Sequence, residues 1–340
     1  MSNRILVCSA EGIGNCIQLS PCLRTLKEVL GYELDYWHAF SSFKIPKIIP
    51  YVDKWFSGGE ITNIKPKEYL GLVSTVWTKA LIKKIALKNL TKITPLDMNR
   101  AEVDAYMDIA RWLGVEEDKI IWHGTCLYNK NVKEMFDVVI HDGYNSYGKA
   151  NWSVKSYPHY KELVKKLLAS GLSVCSVGSK HEYIKGAVDE TGLDLLDTLG
   201  IIANSSLFVG NDSGLYHCAN ALETDNVVIF TATSVDKNYC DKFHKYSTVL
   251  GRHDLECRKI CQQSRVWNKG CSEWECRNLS VDIVYDAVMK YFYNRKPKKL
   301  IKIESDDMIT EPTCLGEHDE LLKSLDRTNR FRKFINKVFK

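Results

Sequence analysis

The stretch Leu207-Phe208-Val209-Gly210-Asn211-Asp212-Ser213-Gly214-Leu215-Tyr216-His217-Cys218-Ala219-Asn220-Ala221-Leu222 reads as a short apolar strand, a polar turn and the opening of a helix. In a parallel α/β unit such a turn lies at the carboxyl end of its strand, where helix N–H groups and the positive end of the helix dipole face the ligand crevice. Asp212 or Ser213 offers an oxygen to cap the helix, and Gly214 lets an anion approach the backbone closely. His217 follows Ser213 by one helical turn, so its imidazole lies on the face of the cap. The plainer account is a well-capped helix with a core histidine. Both accounts require the same strand, turn and helix.

A second unit of this kind opens the chain. Residues 5–9 are an apolar run leading into Ala10-Glu11-Gly12-Ile13-Gly14-Asn15, after which Ile17, Leu19, Leu23, Leu26 and Leu30 keep helical spacing, with Pro21 expected in the first turns. Gly12 and Gly14 do not make a dinucleotide fingerprint, because its third glycine would fall on Ile17. Further along, residues 101–114 have helical spacing and a glycine stop, 136–141 and 173–179 read as strands, 227–233 as a strand ending in small hydroxyl residues, and 281–291 as a last helix. Strands alternating with helices predict an α/β protein with parallel sheets.

At 340 residues the chain has room for two Rossmann-like domains. A hydrophobic share of 45% with 26% charged residues is that of a soluble globular protein, and no apolar run approaches the roughly 20 residues of a membrane span. Met1-Ser2-Asn3-Arg4 leads straight into a strand with no signal-peptide pattern, so a cytoplasmic location is expected. In that setting the 12 cysteines are expected to be reduced thiols. The net charge of +5 suits an anionic substrate without demanding one.

The ordered motifs resemble glycosyltransferase family 9, the ADP-heptose:lipopolysaccharide heptosyltransferases. In that family an apolar strand runs into Asp-[Ser/Thr]-Gly, two residues and His, as in Asp212, Ser213, Gly214 and His217 here. The N-terminal signature is matched by Gly12, Ile13, Gly14, Pro21, Leu23, Arg24, Leu26 and Lys27. The resemblance extends over residues 5–290 and implies the GT-B architecture, two Rossmann-like parallel-sheet domains facing a cleft. The implied boundaries are 1–133 for an acceptor-binding domain, 134–292 for a nucleotide-sugar-binding domain and 293–340 for a basic amphipathic tail.

By the same resemblance, Lys155 before Tyr157-Pro158 meets the donor diphosphate, with Lys149 as a competitor, and Gly178 with Glu182 matches the Gly-x-x-x-Glu whose carboxylate binds the donor ribose. A lysine at a helix start opposes the dipole, which itself calls for an anion nearby. The family's catalytic aspartate falls on Asn15, and an amide cannot accept a proton at neutral pH. Glu11 is the nearest carboxylate and the substitute base; the plainer account is a solvated Glu11 and a helix-capping Asn15. Trp37, His38, Trp77, Lys79, Lys83 and Lys84 either border the acceptor cleft or are packing aromatics and solvated lysines.

The implied reaction transfers a sugar from a nucleotide-diphosphate sugar to a hydroxyl of a glycan or lipopolysaccharide-like acceptor. The sequence has no Asp-x-Asp, so no cofactor is expected for catalysis and the donor site is expected to be metal-independent. Cys257, Cys261, Cys271 and Cys276 are candidate ligands of a structural zinc, in competition with packing thiols or a disulfide pair. Two alternatives stand beside this reading: glycosylation of a hydroxylated base in DNA by the same fold, and a nucleotide-sugar-binding module without turnover. The tail, basic at 295–299 and amphipathic near Phe331, Phe334, Ile335 and Val338, suits docking on the protein body, a nucleic acid or peripheral contact with a membrane.

Overall fold

The computed structural model describes residues 3–39, 45–74, 91–93, 100–144, 152–257, 271 and 274–294. Met1–Tyr291 form one compact unit and Phe292–Lys340 a second, of which only the first three residues are among those described. Five strands make the first sheet: β1 (Arg4–Ser9), β2 (Glu33–His38), β3 (Lys54–Ser57), β4 (Gly71–Ser74) and β5 (Thr91–Ile93), in the order β3-β2-β1-β4-β5. Six make the second: β6 (Val138–His141), β7 (Val174–Gly178), β8 (Val188–Thr191), β9 (Leu207–Asn211), β10 (Asn226–Phe230) and β11 (Ser247–Gly251), in the order β11-β10-β9-β6-β7-β8. Every pairing is parallel.

These are two Rossmann-like sheets, and the expected α/β class and GT-B architecture hold. Continuous apolar strands such as β1, β6, β9 and β10 are buried along their length because helices cover both faces of a parallel sheet. Strand order reverses between β1 and β4 in the first sheet and between β6 and β9 in the second. A crevice opens beyond the carboxyl ends of the strands at such a reversal.

Seven α-helices are described: α1 (Ile13–Glu28), α2 (Glu102–Trp112), α3 (Tyr160–Ala169), α4 (Leu195–Asn204), α5 (Gly214–Ala221), α6 (Val235–Asn238) and α7 (Val281–Asn294). Pro21 is not in the first turns of α1 but inside the helix. The Ile17 carbonyl, deprived of its partner N–H by the proline, accepts instead from the Ser20 hydroxyl at 2.7 Å, and the Thr25 hydroxyl donates to the Pro21 carbonyl at 2.9 Å. Two hydroxyls thus carry the helix past a residue that breaks most helices. α2 ends as expected at Gly114, whose φ of +92° is the left-handed conformation of a helix stop.

α1 and α5, one from each half, start at the two strand-order reversals and meet at their N-termini. A Cβ added to Gly14 would lie 2.8 Å from Cδ2 of His217, and one added to Gly214 would lie 2.8 Å from Cβ of Ile13. Both contacts are closer than real side chains approach, so the two glycines set the separation of the helices. The loop after β6 is pinned to β9 by the Asn211 amide, which donates to the Gly143 carbonyl at 2.7 Å.

In that loop Asp142 is largely buried; its Oδ2 accepts from the Ser156 hydroxyl at 2.9 Å, and its Oδ1 has no partner among the described residues. Burial pushes its carboxyl up to about 6, against weaker opposing pulls from Ser156, His141 and Arg277. A carboxyl raised in the folded state favours folding below its unfolded value near 3.9, and the contribution is lost as pH rises through about 6. Urea unfolding at pH 4.5 and 7.5 should show the parent losing about 2 kcal/mol more stability across this window than Asp142→Asn. Equal losses would show that Asp142 ionises in the folded protein as readily as in the unfolded chain.

Candidate active site

The turn between β9 and α5 is the centre of the site. Asp212 is buried, and the Lys155 ammonium donates to its backbone carbonyl at 2.9 Å and to its Oδ2 at 3.2 Å. His217 Nε2 faces Oδ1 of the same carboxylate at 3.5 Å. Lys155 closes a 3-10 turn, Trp152–Lys155, ahead of α3, so the expected conflict with a helix start is corrected; its counter-charge is Asp212, and it also lies over the Trp152 ring, 5.2 Å from its centroid. Burial raises the Asp212 carboxyl, but the Lys155 charge and then His217 outweigh it and hold the group well below the usual carboxylate range.

Ser213 is the N-cap residue of α5, yet its side chain makes no cap bond. The expectation of a side-chain cap from Asp212 or Ser213 is thereby corrected: Asp212 is held by Lys155, and Ser213 Oγ shares a hydrogen bond with His141 Nδ1 at 3.1 Å. His141 ends β6, on the other side of the reversal, so the bond ties the two strands that border the crevice. The N–H groups that open α5 are left without a side-chain cap from Ser213.

Gly178 and Glu182 come together beside this turn. Glu182 Oε2 accepts from the Ser179 N–H at 2.6 Å and lies 3.6 Å from His141 Nε2. Burial raises the Glu182 carboxyl, while His141 and the Ser179 N–H lower it further, with a net downward shift. Gly178, at a φ of +121°, makes the room: a Cβ there would sit 2.5 Å from Glu182 Oε2. Lys149 lies outside the described residues.

On the N-terminal side, Gly12 is the N-cap of α1 and Asn15 lies within the helix, so Asn15 is not the cap. Its side chain hydrogen-bonds the phenol of Tyr106. Tyr106 in turn donates to Glu102 Oε1 at 2.5 Å, and Lys237 of α6 pairs with Glu102 Oε2 at 3.3 Å. Glu11 is buried, which corrects the solvated-loop account; its Oε2 accepts from the Ala10 N–H at 2.9 Å. His38 and Trp37 are buried too, and His38 Nε2 pairs with the Glu11 carbonyl at 2.9 Å, so these two pack and brace the loop. Trp77, Lys79, Lys83 and Lys84 lie outside the described residues.

Sequence reasoning missed Gln18, Glu102, Tyr106, His141, Lys237 and His244. His141 alone carried a local signal, as the polar residue ending a buried strand. The others are brought together by the packing of α1 against α2 and α5, which no local pattern records. Among the described residues no group of three His, Cys, Asp or Glu side chains is arranged to hold a metal, and Cys261 of the proposed cysteine set is outside them. Cys257 is exposed, and Cys271 and Cys276 are half-buried. No described helix is long and apolar enough to cross a membrane.

The model of glycosyltransferase family 9 (heptosyltransferase) matches residues 146–265, which include Lys155, Glu182, Asp212 and His217. No curated protein matches the chain by sequence. Among solved structures, a family 9 glycosyltransferase from Veillonella parvula is similar with a TM-score of 0.64 at 14% identity, over 87% of this chain and 99% of that one. The ADP-heptose lipopolysaccharide heptosyltransferase II of E. coli is similar with a TM-score of 0.57 at 18% identity, over 78% and 98%. The E. coli heptosyltransferase WaaC with ADP has a TM-score of 0.55 at 15% identity, over 78% and 99%. The family model thus matches the stretch that holds Asp212-Ser213-Gly214 and His217, and the solved structures are similar to this chain in fold across both sheets.

Proposed function

We propose that the chain moves a sugar from a nucleotide-diphosphate sugar, bound at the turn between β9 and α5, to a hydroxyl of a glycan or lipopolysaccharide-like acceptor lying against the loop before α1. One observation carries this reading: an ammonium, an imidazole and a helix N-terminus converge at Asp212 to Gly214. Each of the three favours negative charge, and a departing diphosphate is where negative charge accumulates in sugar transfer. Glu182 suits the donor ribose, because a carboxylate accepts from paired hydroxyls. A heptosyltransferase with ADP among the similar structures supports an ADP-linked sugar as donor, with ADP as the leaving group.

The acceptor proton is assigned to Glu11. Asn15 is an amide spent on Tyr106, whereas Glu11 is a carboxylate at the mouth of the same loop. In this reading residues 1–133 bind the acceptor, 134–292 the donor, and 293–340 form a tail, and the enzyme acts in the cytoplasm on a substrate at or near a membrane surface. If DNA were the acceptor, binding would weaken steeply with salt through lost phosphate contacts, which a neutral glycan does not make.

His217→Ala should weaken ADP binding by about 1–3 kcal/mol in calorimetry, the worth of one hydrogen bond to a charged group. Unchanged affinity in the folded variant would remove the diphosphate from this turn. Sugar transfer should persist in EDTA, since Lys155 and the helix dipole supply the positive charge that other transferases take from a divalent ion. Loss of activity with the fold intact, restored by magnesium or manganese, would refute this.

In single-turnover transfer, Glu11→Gln should cost about 10²–10⁴-fold and Asn15→Ala markedly less, the difference between a general base and a positioning hydrogen bond. A parental rate in Glu11→Gln would take the base away from Glu11. A parent that binds ADP and the sugar donor but never turns over would favour the binding-module alternative.

A further inference from the structure

We propose that His244 is a positioning residue that holds His217 as the neutral tautomer protonated on Nε2, with that N–H presented to the donor diphosphate. The inference deepens the reading that His217 faces a diphosphate, and its chain of bonds is as follows. The backbone carbonyl of Cys240 already accepts from the N–H groups of Phe243 at 3.1 Å and His244 at 2.7 Å. The Cys240 N–H donates to His244 Nδ1 at 2.9 Å. His244 Nδ1 also lies 3.2 Å from that carbonyl, but the carbonyl is already doubly engaged and the contact to the Cys240 N–H is shorter, so the N–H decides the ring: Nδ1 of His244 is the acceptor and its proton sits on Nε2.

His244 Nε2 lies 2.9 Å from His217 Nδ1. A donor there makes His217 Nδ1 the acceptor, and a neutral His217 then carries its proton on Nε2. Burial, with the nearby His217 as a weaker cause, keeps the His244 imidazole well below its usual range, so it is neutral and has one proton to place. The ring cannot swivel out of register, because it is stacked between Tyr216, at 5.1 Å and 8°, and Tyr239, at 5.5 Å and 23°.

The far side of His217 has bonding capacity to spare. Nε2 meets Asp212 Oδ1 at 3.5 Å and the Gln18 amide at 3.5 Å, both at the long limit of a hydrogen bond. Gln18 is buried and its Oε1 has no partner among the described residues; with a proton on His217 Nε2, the amide must turn its oxygen toward the ring. Lys155 engages the other carboxylate oxygen, Oδ2, at 3.2 Å, so Asp212 meets His217 only through the long contact to Oδ1. A diphosphate oxygen reaching Nε2 therefore gains a donor that nothing in the protein fully uses. A histidine without His244 would be free to place its proton on Nδ1 and present a lone pair to the anion instead.

The test uses the whole chain labelled with ¹⁵N. A two-bond ¹H–¹⁵N spectrum, with the His217 signals assigned by their loss in His217→Ala, should show Nε2 protonated and Nδ1 bare in the unliganded parent. A protonated Nδ1 overturns the proposal whether or not ADP binds. His244→Asn keeps an acceptor for the Cys240 N–H but cannot reach His217, and should weaken ADP binding about tenfold, as for a lost charge-assisted hydrogen bond. His244→Gln places an amide N–H near the position of Nε2 and should recover most of that loss. Equal affinity in parent and His244→Asn, or equal losses in the Asn and Gln variants, overturns it. A parent that binds no ADP defeats the diphosphate reading, while the spectrum still decides the tautomer.

Discussion

The contact on which the site depends is the meeting of two helix N-termini, Gly14 of α1 against Gly214 of α5. Each N-terminus carries about half a positive charge in unpaired N–H groups. Two of them at van der Waals distance repel, and the arrangement is stable only with negative charge close by. The protein supplies two buried carboxylates, Glu11 before α1 and Asp212 before α5. A side chain on either glycine would separate the halves and dissolve this pairing, which gives the glycine loops a packing role before any role toward a ligand.

Asp212 shows how the charge is balanced. A lone buried carboxylate would protonate, but the Lys155 ammonium and the His217 imidazole keep it ionised. On the reading proposed here, the same two groups are those a diphosphate would meet, so they are held in place before any substrate arrives. Such preorganisation is what makes electrostatic stabilisation effective, since no dipole must reorient as charge develops on the leaving group. The site is thereby built from the inside outward: glycine packing sets the helix ends, the helix ends require Asp212, and Asp212 fixes Lys155 and His217.

What was legible in the sequence follows the range of the interactions. Apolar runs of five or six residues between polar turns gave the buried strands, and the spacing from Asp212 to His217 gave the face of α5, because both depend only on neighbours in the chain. Pro21 misled, since its tolerance inside α1 rests on two hydroxyls, Ser20 and Thr25, whose rotamers no pattern reveals. Ser213 misled in the same manner: a serine before a helix reads as a cap, and the competing partner, His141, is remote in sequence. Lys155 was named by the family resemblance; the helix start assumed for it lies further on, and the anion it meets is the aspartate of the same site.

Asn15 is the point at which sequence and packing bear on each other most directly. Its amide is bonded to Tyr106, which is bonded to Glu102, and Lys237 pairs with that carboxylate. A carboxylate at residue 15 would accept from the phenol that now donates to Glu102, setting two anions around one phenol proton in a buried network. Like charges in such a place raise one carboxyl until it is neutral. The amide avoids this conflict, since it donates where an aspartate could only accept. On the reading proposed here, Glu102, Lys237 and the amide at residue 15 are one arrangement, and Glu11 is the carboxylate of the loop that takes the acceptor proton.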